Sequence, residues 1–270
     1  MEIKDHLLKG PNVKLVKSPN HSGVFKAGDL DTIIMHYTAA PSVKSAINTL
    51  TNPKVKASAH LIIGRDGSVI QLIPFNVISW HAGQSSYKGR VGYNNYSIGI
   101  EIDNAGPLTP SGDVFRAWFG QTYDKNEVIQ ARHRNETELK YWHTYTAEQI
   151  EVVREICDLL IDEYNLKFIL GHEEISPGRK FDPGPAFPLD RFRDGLLKSN
   201  RDDDDDDTPL EKRVSASKLN IRVSPDSNAA MAAVPLLQGH KVTVLEQNGE
   251  WVKVKTEIEG WVSAKFLSNG

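Results

Sequence analysis

The sequence contains little cysteine, little net charge and no long hydrophobic run. Its single cysteine, Cys157, excludes an internal disulfide and any metal cage built from cysteines. No apolar run approaches the roughly 20 residues that a membrane-spanning helix needs, so no membrane span is predicted. The 32 basic and 35 acidic residues give a formal net charge of −3, which argues against a nucleic-acid-binding protein.

A chain of 270 residues has room for one large domain or two domains. Residues 202–207 are six consecutive aspartates, and the repulsion between such charges predicts a solvated linker. A calcium-binding loop is the alternative, but the run lacks the alternating ligands and the glycine of such a loop. We therefore predict a domain over residues 1–200, an acidic linker over residues 201–213 and a small domain over residues 214–270.

Hydrophobic patterning in residues 1–200 predicts a mixed α/β domain. Apolar runs predict buried strands at residues 32–36, 97–102 and 168–170, and a hairpin that joins residues 60–63 to 69–73. Helices are predicted at residues 42–50 and after the capping box at residues 146–149. Residues 106–145 show no clear period and are predicted to form a loop, in which His133 and His143 are exposed to solvent.

Two histidines and one aspartate follow predicted strands at positions that suit a ligand site. His36 ends one apolar run, His172 follows another, and Asp182 lies ten residues further on. Residues at strand ends face the crevice in which α/β proteins bind ligands. Two imidazoles and a carboxylate can form a catalytic zinc site with a fourth position for water. Spacing alone also fits structural histidines, which are common at strand ends.

A series of motifs makes the metal interpretation specific. In chain order, the motifs are His36-Tyr37-Thr38-Ala39, Ala57-Ser58-Ala59-His60, Asp66-Gly67, Trp80-His81-Ala82-Gly83, Ser97-Ile98-Gly99-Ile100-Glu101, Gly171-His172 and Pro177-Gly178-Arg179-Lys180-Phe181-Asp182-Pro183-Gly184-Pro185-Ala186-Phe187. Over about residues 18–192 they closely resemble the zinc N-acetylmuramoyl-L-alanine amidases of the type 2 amidase family. That family shares its fold with the peptidoglycan recognition proteins. The resemblance implies a central mixed β-sheet flanked by helices.

The resemblance also implies a catalytic domain and the roles of five residues in it. His36, His172 and Asp182 match the family's Zn²⁺ ligands, Glu101 matches its general base, and Lys180 matches a cation that stabilises the oxyanion. The implied reaction is hydrolysis of the amide between the lactyl group of N-acetylmuramic acid and L-alanine, in peptidoglycan or muropeptides. Such a reaction needs an activated water, a base and a stabilised oxyanion.

Three further residues are candidates for substrate binding, and one alternative function is considered. His60 and His81 line the expected cleft or act as structural residues, and Arg179 is a candidate contact for the peptide stem. The alternative function is a peptidoglycan-binding or recognition protein that uses the same fold without catalysis. A pure binding protein has no physical need for a metal with an open position, so the enzyme is favoured.

The last part of the chain has a different pattern. Short alternating runs at residues 219–223, 241–246, 251–255 and 260–262 are separated by turn residues, which predicts a small all-β barrel or sandwich. Residues 214–267 resemble bacterial SH3-like domains, and that resemblance implies binding to the cell wall. Trp251 and Trp261 are candidates for the binding surface or for the core of the small barrel.

The biological setting is open among three hypotheses at this point. They are an endolysin released from a phage-infected cell, a secreted wall-remodelling enzyme and a cytoplasmic recycling enzyme. The appended domain favours a polymeric wall substrate. The first residues lack the apolar core of a secretory signal, which favours the endolysin over the secreted enzyme. No oligomeric state is predicted.

Overall fold

The structure is a computed structural model that describes residues 1–199, 211–248 and 251–256. The chain divides into two compact units, Met1–Arg201 and Asp202–Gly270. The six aspartates, the predicted strand at residues 260–262 and Trp261 lie outside the described residues. Within the described ranges, no helix has the length and apolar character of a membrane-crossing segment.

The first unit contains many short strands and a few helices. Its strands are β1 (Glu2–Lys4), β2 (Leu7–Lys9), β3 (Val13–Leu15), β4 (His21–Val24), β5 (Thr32–Tyr37), β6 (Leu61–Ile63), β7 (Val69–Gln71), β8 (Val77–Ser79), β9 (Ser86–Tyr87), β10 (Arg90–Val91), β11 (Ser97–Ile102), β12 (Pro107–Ser111), β13 (Val114–Arg116), β14 (Thr122–Tyr123), β15 (Val128–Arg132), β16 (Leu139–His143) and β17 (Phe168–Gly171). Its helices are α1 (Val43–Leu50), α2 (Ala147–Tyr164), α3 (His172–Ile175) and α4 (Leu189–Ser199), with 3-10 turns at Tyr93–Asn95 and Lys125–Glu127.

A six-stranded mixed sheet forms the centre of this unit, as predicted. The strand order is β17-β5-β11-β6-β7-β3. Strand β5 is parallel to both β11 and β17, whereas β6 and β7 form the predicted antiparallel hairpin. The strands β5 and β11 consist mostly of apolar, buried residues because both faces of the sheet are covered.

Helix α2 covers one face of the central sheet. It begins at the predicted capping box, in which the Thr146 side chain accepts from the Gln149 backbone and the Gln149 side chain accepts from the Thr146 backbone. Its apolar stripe packs into the main core, and Cys157 is fully buried on that stripe. The helix therefore follows from the periodicity of its apolar residues.

The prediction of a loop over residues 106–145 is wrong. This segment contains a five-stranded antiparallel sheet with the order β14-β13-β12-β16-β15. Its strands are two to five residues long and pack on a small cluster of their own, around Leu108, Ala117 and Tyr123. Such short strands offer too few buried positions for a two-residue alternation to be visible in the sequence.

The described part of the second unit consists of short strands, as predicted. They are β18 (Glu211–Arg213), β19 (Lys218–Leu219), β20 (Leu236–Leu237), β21 (Lys241–Asn248) and β22 (Trp251–Lys255). Strand β21 pairs antiparallel with β18 and β22, and β19 pairs with β20. The last three residues of the segment predicted as a linker thus form a strand, because their backbone groups find partners on β21.

Candidate metal and catalytic site

The ends of β5 and β17 bring two histidines together. The two strands are parallel neighbours, with Gly171 in register with Met35. His36 is therefore close to His172, the first residue of α3, and the two ring centroids lie 4.5 Å apart. Asp182, in the loop after α3, completes a buried group whose ligand atoms all lie within 4.8 Å of one another. This group can hold a metal ion.

The hydrogen bonds around the two imidazoles define which ring nitrogens face the centre of this group. His172 Nε2–H donates to the Ala82 carbonyl at 3.0 Å, and His81 Nε2–H donates to the Ser97 carbonyl at 3.2 Å. His81 Nδ1 is then an acceptor, so it takes a hydrogen bond from His36 Nε2–H at 2.9 Å. The Nδ1 lone pairs of His36 and His172 consequently face the carboxylate of Asp182.

The donor set fits a divalent cation. His36 Nδ1 and His172 Nδ1 lie 2.8 and 2.9 Å from the same Oδ2 of Asp182. Burial, reinforced by the neighbouring His172, lowers the pKa of His36 to about 4. Burial opposes ionisation of Asp182, whereas hydrogen bonds from the facing imidazoles, when these carry a proton on Nδ1, hold its pKa below the usual range. Two imidazole nitrogens and one carboxylate oxygen therefore converge, which is an arrangement that suits a divalent metal ion.

Glu101 lies on β11, in register with His36 on the neighbouring strand. Both side chains thus leave the same face of the sheet. Glu101 Oε2 is buried and has no hydrogen-bond partner among the described residues. Burial raises the pKa of Glu101 well above its usual value, Asp182 raises it further, and Lys180 opposes the shift. The structure therefore places a buried carboxyl group with a raised pKa beside the three ligand candidates.

A cavity of about 270 Å³ opens over these groups. The ligand candidates, Glu101 and Lys180 all line it, and so do His81, Trp80 and Arg179. The lining of the cavity thus combines hydrogen-bonding and charged groups with aromatic side chains. It is large enough to admit an extended, polar group to the three ligand candidates.

A family profile described as N-acetylmuramoyl-L-alanine amidase matches residues 26–185. The chain belongs to this family. A second profile, described as bacterial SH3 domain, matches residues 217–268. The amidase fold is thus followed by a second domain type, as the sequence motifs predicted.

The amidase part of the chain is similar to named relatives. It is 34% identical over 141 residues to the 1,6-anhydro-N-acetylmuramyl-L-alanine amidase AmpD of Escherichia coli (strain K12), which covers 52% of this chain and 58% of that protein. It is 28% identical over 168 residues to the N-acetylmuramoyl-L-alanine amidase AmiD of the same organism, covering 59% and 50%. A crystal structure of a selenomethionine AmpD derivative aligns with a TM-score of 0.50 and 25% identity, covering 71% and 97%.

These alignments cover only part of the two Escherichia coli relatives. The chain spans between half and three fifths of their length. The shared fold is consistent with the mixed sheet described above.

Close packing between His81 and Gly99 shapes the amidase site. A Cβ atom added to Gly99 would lie 2.4 Å from His81 Cγ, so only glycine leaves room for this ring. His81 also receives the hydrogen bond from His36, and it lines the cavity. Its predicted role in substrate binding stays a prediction, whereas its contact with a ligand candidate is a feature of the structure.

His60 lies deeper in the amidase fold. It is fully buried, and its Nδ1 accepts from the Gly99 backbone at 3.0 Å and from the Ser79 hydroxyl at 2.9 Å. Its Nε2–H donates to the Val77 carbonyl at 2.8 Å. Burial lowers the pKa of His60 to about 4. These contacts fit the structural interpretation of His60, and its role in substrate binding stays a prediction.

Arg179 and Lys180 both border the cavity but differ in their partners. Arg179 Nη2 donates to the carbonyls of Ala82 and Gln84, at 3.0 and 2.6 Å, and to Ser176 Oγ at 2.7 Å. Arg179 thus holds the loop that also accepts from His172 Nε2. Contact of Arg179 with a peptide stem and the oxyanion role of Lys180 stay predictions.

A buried polar group that the sequence did not predict lies next to the loop that carries Asp182. His133 is 1% exposed, contrary to the expectation of a solvated residue, and its Nε2 lies 2.6 Å from Glu173 Oε2. Arg134 Nε lies 2.9 Å from Glu173 Oε1, and the Gly184 backbone donates to Oε2 at 3.1 Å. Glu173 itself donates its backbone N–H to the Asp182 carbonyl at 2.9 Å. This group anchors the loop that carries Asp182.

The expectation of a solvated His143 is also wrong. His143 is 2% exposed, accepts a hydrogen bond at Nδ1 from the Ala105 backbone at 3.1 Å and packs at a tilt against Tyr123 with ring centroids 4.2 Å apart. The polar sequence around His143 predicted exposure, whereas its hydrogen-bond partner Ala105 and its ring contact Tyr123 come from earlier segments of the chain. The position of Glu173 directly after His172 was the one local signal for a residue that supports the ligands.

Proposed function

We propose that this protein hydrolyses the amide between the lactyl group of N-acetylmuramic acid and L-alanine, in peptidoglycan or muropeptides. The observation that carries the proposal is Glu101, whose buried Oε2 has no hydrogen-bond partner among the described residues, beside the converging ligand atoms of His36, His172 and Asp182. The family to which the chain belongs and the names of its relatives support hydrolysis of the same bond.

We infer that the metal is Zn²⁺, held by His36, His172 and Asp182. Neutral imidazoles and one carboxylate suit zinc, and three protein ligands leave a position for water or substrate. When bound, zinc supplies a Lewis acid that polarises the scissile carbonyl and lowers the pKa of water. The backbone carbonyls of Ala82 and Ser97 keep the ring nitrogens correctly oriented through the hydrogen bonds described above.

Glu101 acts as the general base in this proposal. Its raised pKa allows it to accept the proton of the attacking water and then to deliver that proton to the leaving amine nitrogen. The same residue therefore serves both halves of the reaction. Lys180, on the cavity wall, offsets the negative charge that develops on the carbonyl oxygen.

A non-catalytic recognition protein is the alternative on this fold. Such a protein gains nothing from a buried carboxyl group that lacks a partner, because an unsatisfied buried polar group costs about 1–3 kcal/mol. The cost is explained if Glu101 meets its partner only in the reacting complex. The isolated carboxyl group therefore favours the enzyme.

Release of the stem peptide tests the proposal. The full chain should liberate free peptide from muropeptides, lose this activity with a chelator and regain it with zinc. The Glu101→Gln variant should keep zinc but lose at least about 100-fold in turnover, the lower range for a general base. Glu151→Gln, an exposed position on α2, is the matched control. A normal rate in Glu101→Gln would remove the assigned base.

We further propose a division of labour along the chain. Residues 1–200 form the zinc amidase domain, residues 201–213 an acidic linker that ends in β18, and residues 214–270 a wall-binding SH3-like domain. Trp251 is 36% exposed and is a candidate contact for the wall. The full chain should sediment with purified peptidoglycan, and Trp251→Ala should reduce the bound fraction.

We infer that the polymeric wall, rather than a small cytoplasmic muropeptide, is the substrate in the cell. The second domain supports this, because a wall anchor assists only an enzyme that acts on the wall. Rates on intact sacculi and on soluble anhydro-muropeptide compare the two settings directly. A rate that is higher on the soluble substrate, and unchanged by Trp251→Ala, would favour the recycling enzyme.

A further inference from the structure

A second cavity lies on the five-stranded sheet, and we call it the sheet groove. It has a volume of about 700 Å³ and is open to solvent. Residues of β12, β13 and β16 line it, among them Leu108, Arg116, Lys140 and Tyr141, together with Trp118. None of the functions discussed so far uses these side chains.

The sheet groove adjoins the catalytic cavity at two points. The Trp118 indole N–H donates to the Ala39 carbonyl at 3.0 Å, and Ala39 lines the catalytic cavity. Lys140 Nζ lies 5.9 Å from the ring centroid of Phe181, which also lines that cavity and directly precedes Asp182. A ligand that leaves the catalytic cavity on this side therefore meets the groove.

The lining of the groove is apolar and carries positive charge. It contains no acidic side chain, while Arg116 and Lys140 supply two cations. Lys140 pairs with Glu136 at 2.5 Å, whereas the exposed Arg116 side chain has no ion-pair partner in the part of the chain that the structure describes. The groove thus offers an Arg fork, which is suited to a carboxylate.

Trp118 gives the groove a fixed apolar surface. It is 77% exposed, yet its indole nitrogen is tied to Ala39 and its ring packs edge-on against Phe119 with centroids 5.6 Å apart. An exposed large aromatic side chain that is held in one orientation loses little conformational entropy when a ligand covers it. Exposed apolar surface of this kind, bordered by charge, is typical of ligand-binding grooves.

We propose that the sheet groove binds the peptide arm of the substrate and selects stem peptides with free carboxylates. The inference rests on the proposed function, which defines two arms on either side of the scissile amide. The sugar arm carries no negative charge at this point, because its lactyl carboxyl group forms the amide. The peptide arm carries free carboxylates and alanine methyl groups, which match the Arg116 guanidinium and the apolar lining.

Arg116→Gln tests the assignment, with Arg132→Gln as the matched control. Arg132 is an exposed arginine on β15 and does not line the groove. Steady-state rates are measured on three muropeptides: one with acidic stem residues, one with these carboxylates amidated, and one that ends at L-alanine. Arg116→Gln should lower kcat/KM at least about tenfold on the acidic substrate, through KM, because a hydrogen bond between two charged groups is lost. The other two substrates should be hydrolysed at unchanged rates.

Binding of the free acidic stem peptide to the full chain, measured by calorimetry, gives a readout that does not need hydrolysis. Arg116→Gln should weaken this Kd about tenfold and Arg132→Gln should not change it. Equal Kd values in all three proteins would overturn the inference, and so would equal loss on the substrate that ends at L-alanine. Binding that depends on Arg116, without hydrolysis by the wild type, would instead refute the proposed function alone.

Discussion

Replacement of Glu173 by glutamine should destabilise the protein and weaken its metal binding. The buried Glu173 carboxylate receives hydrogen bonds from His133 Nε2, Arg134 Nε and the Gly184 backbone. A glutamine side chain has the same shape as glutamate but only one acceptor oxygen. Its NH₂ group would therefore face one of the three donors. The loss of a charged hydrogen bond and the clash of donors should together cost about 3 kcal/mol.

This cost converts into a measurable shift in melting temperature. For a unit of about 200 residues, each kcal/mol corresponds to about 2–4 °C, so Glu173→Gln should melt about 6–12 °C below the wild type. Differential scanning calorimetry in excess chelator separates this shift from the stabilisation that a bound metal adds. Glu151→Gln, which changes the same residue type on the exposed face of α2, should melt like the wild type.

The same substitution should also weaken metal binding by the proposed ligands. Glu173 holds the Asp182 loop through its backbone N–H and through its bond to Gly184. Loss of a residue that supports a metal ligand typically weakens metal affinity 10–100-fold, and a competition titration with a zinc chelator measures that change. A melting temperature and a zinc affinity equal to those of the Glu151→Gln control would refute the reasoning.

Two other predictions concern the packing beneath the site. Gly99→Ala should displace the His81 ring, cost about 1–3 kcal/mol in urea denaturation and lower the amidase rate; an unchanged rate and stability would show that the ring adapts. His60, with a pKa lowered by burial to about 4, stays neutral in the fold while the unfolded residue takes a proton near its usual 6.5. Stability should therefore fall by about 3 kcal/mol from this residue as pH drops from about 6.5 to 4. His60→Gln should flatten that slope in chelator-treated protein, and an identical slope would contradict the assignment.

The central sheet could be predicted because its strands bury both faces. Residues 32–36 and 97–102 are continuous apolar runs, and the motifs around His36 and His172 lie at their ends or at the end of β17. The capping box at the start of α2 could also be predicted, since it depends on two residues three positions apart. These features depend on residues that are close in the chain, so they can be recognised in a single sequence.

The second sheet and its contribution to the site could not be predicted. His133 meets its partner Glu173 across 40 positions of sequence, and Trp118 meets Ala39 across 79. Each contact depends on how short strands with exposed, charged faces pair with one another. A polar context predicts solvent exposure on average, and the burial of His133 and His143 reverses that expectation because their partners come from distant segments.

The Nε2–H groups of His36 and His172 determine which ring nitrogens are available to an ion. Both point outward, toward Ala82 and His81, before any ion arrives. The nitrogens that face Asp182 are therefore the ones available to an ion, and neither ring has to turn over. The carbonyls of Ala82 and Ser97 thus fix the orientation of the two rings in advance, so little conformational entropy should be lost when an ion binds.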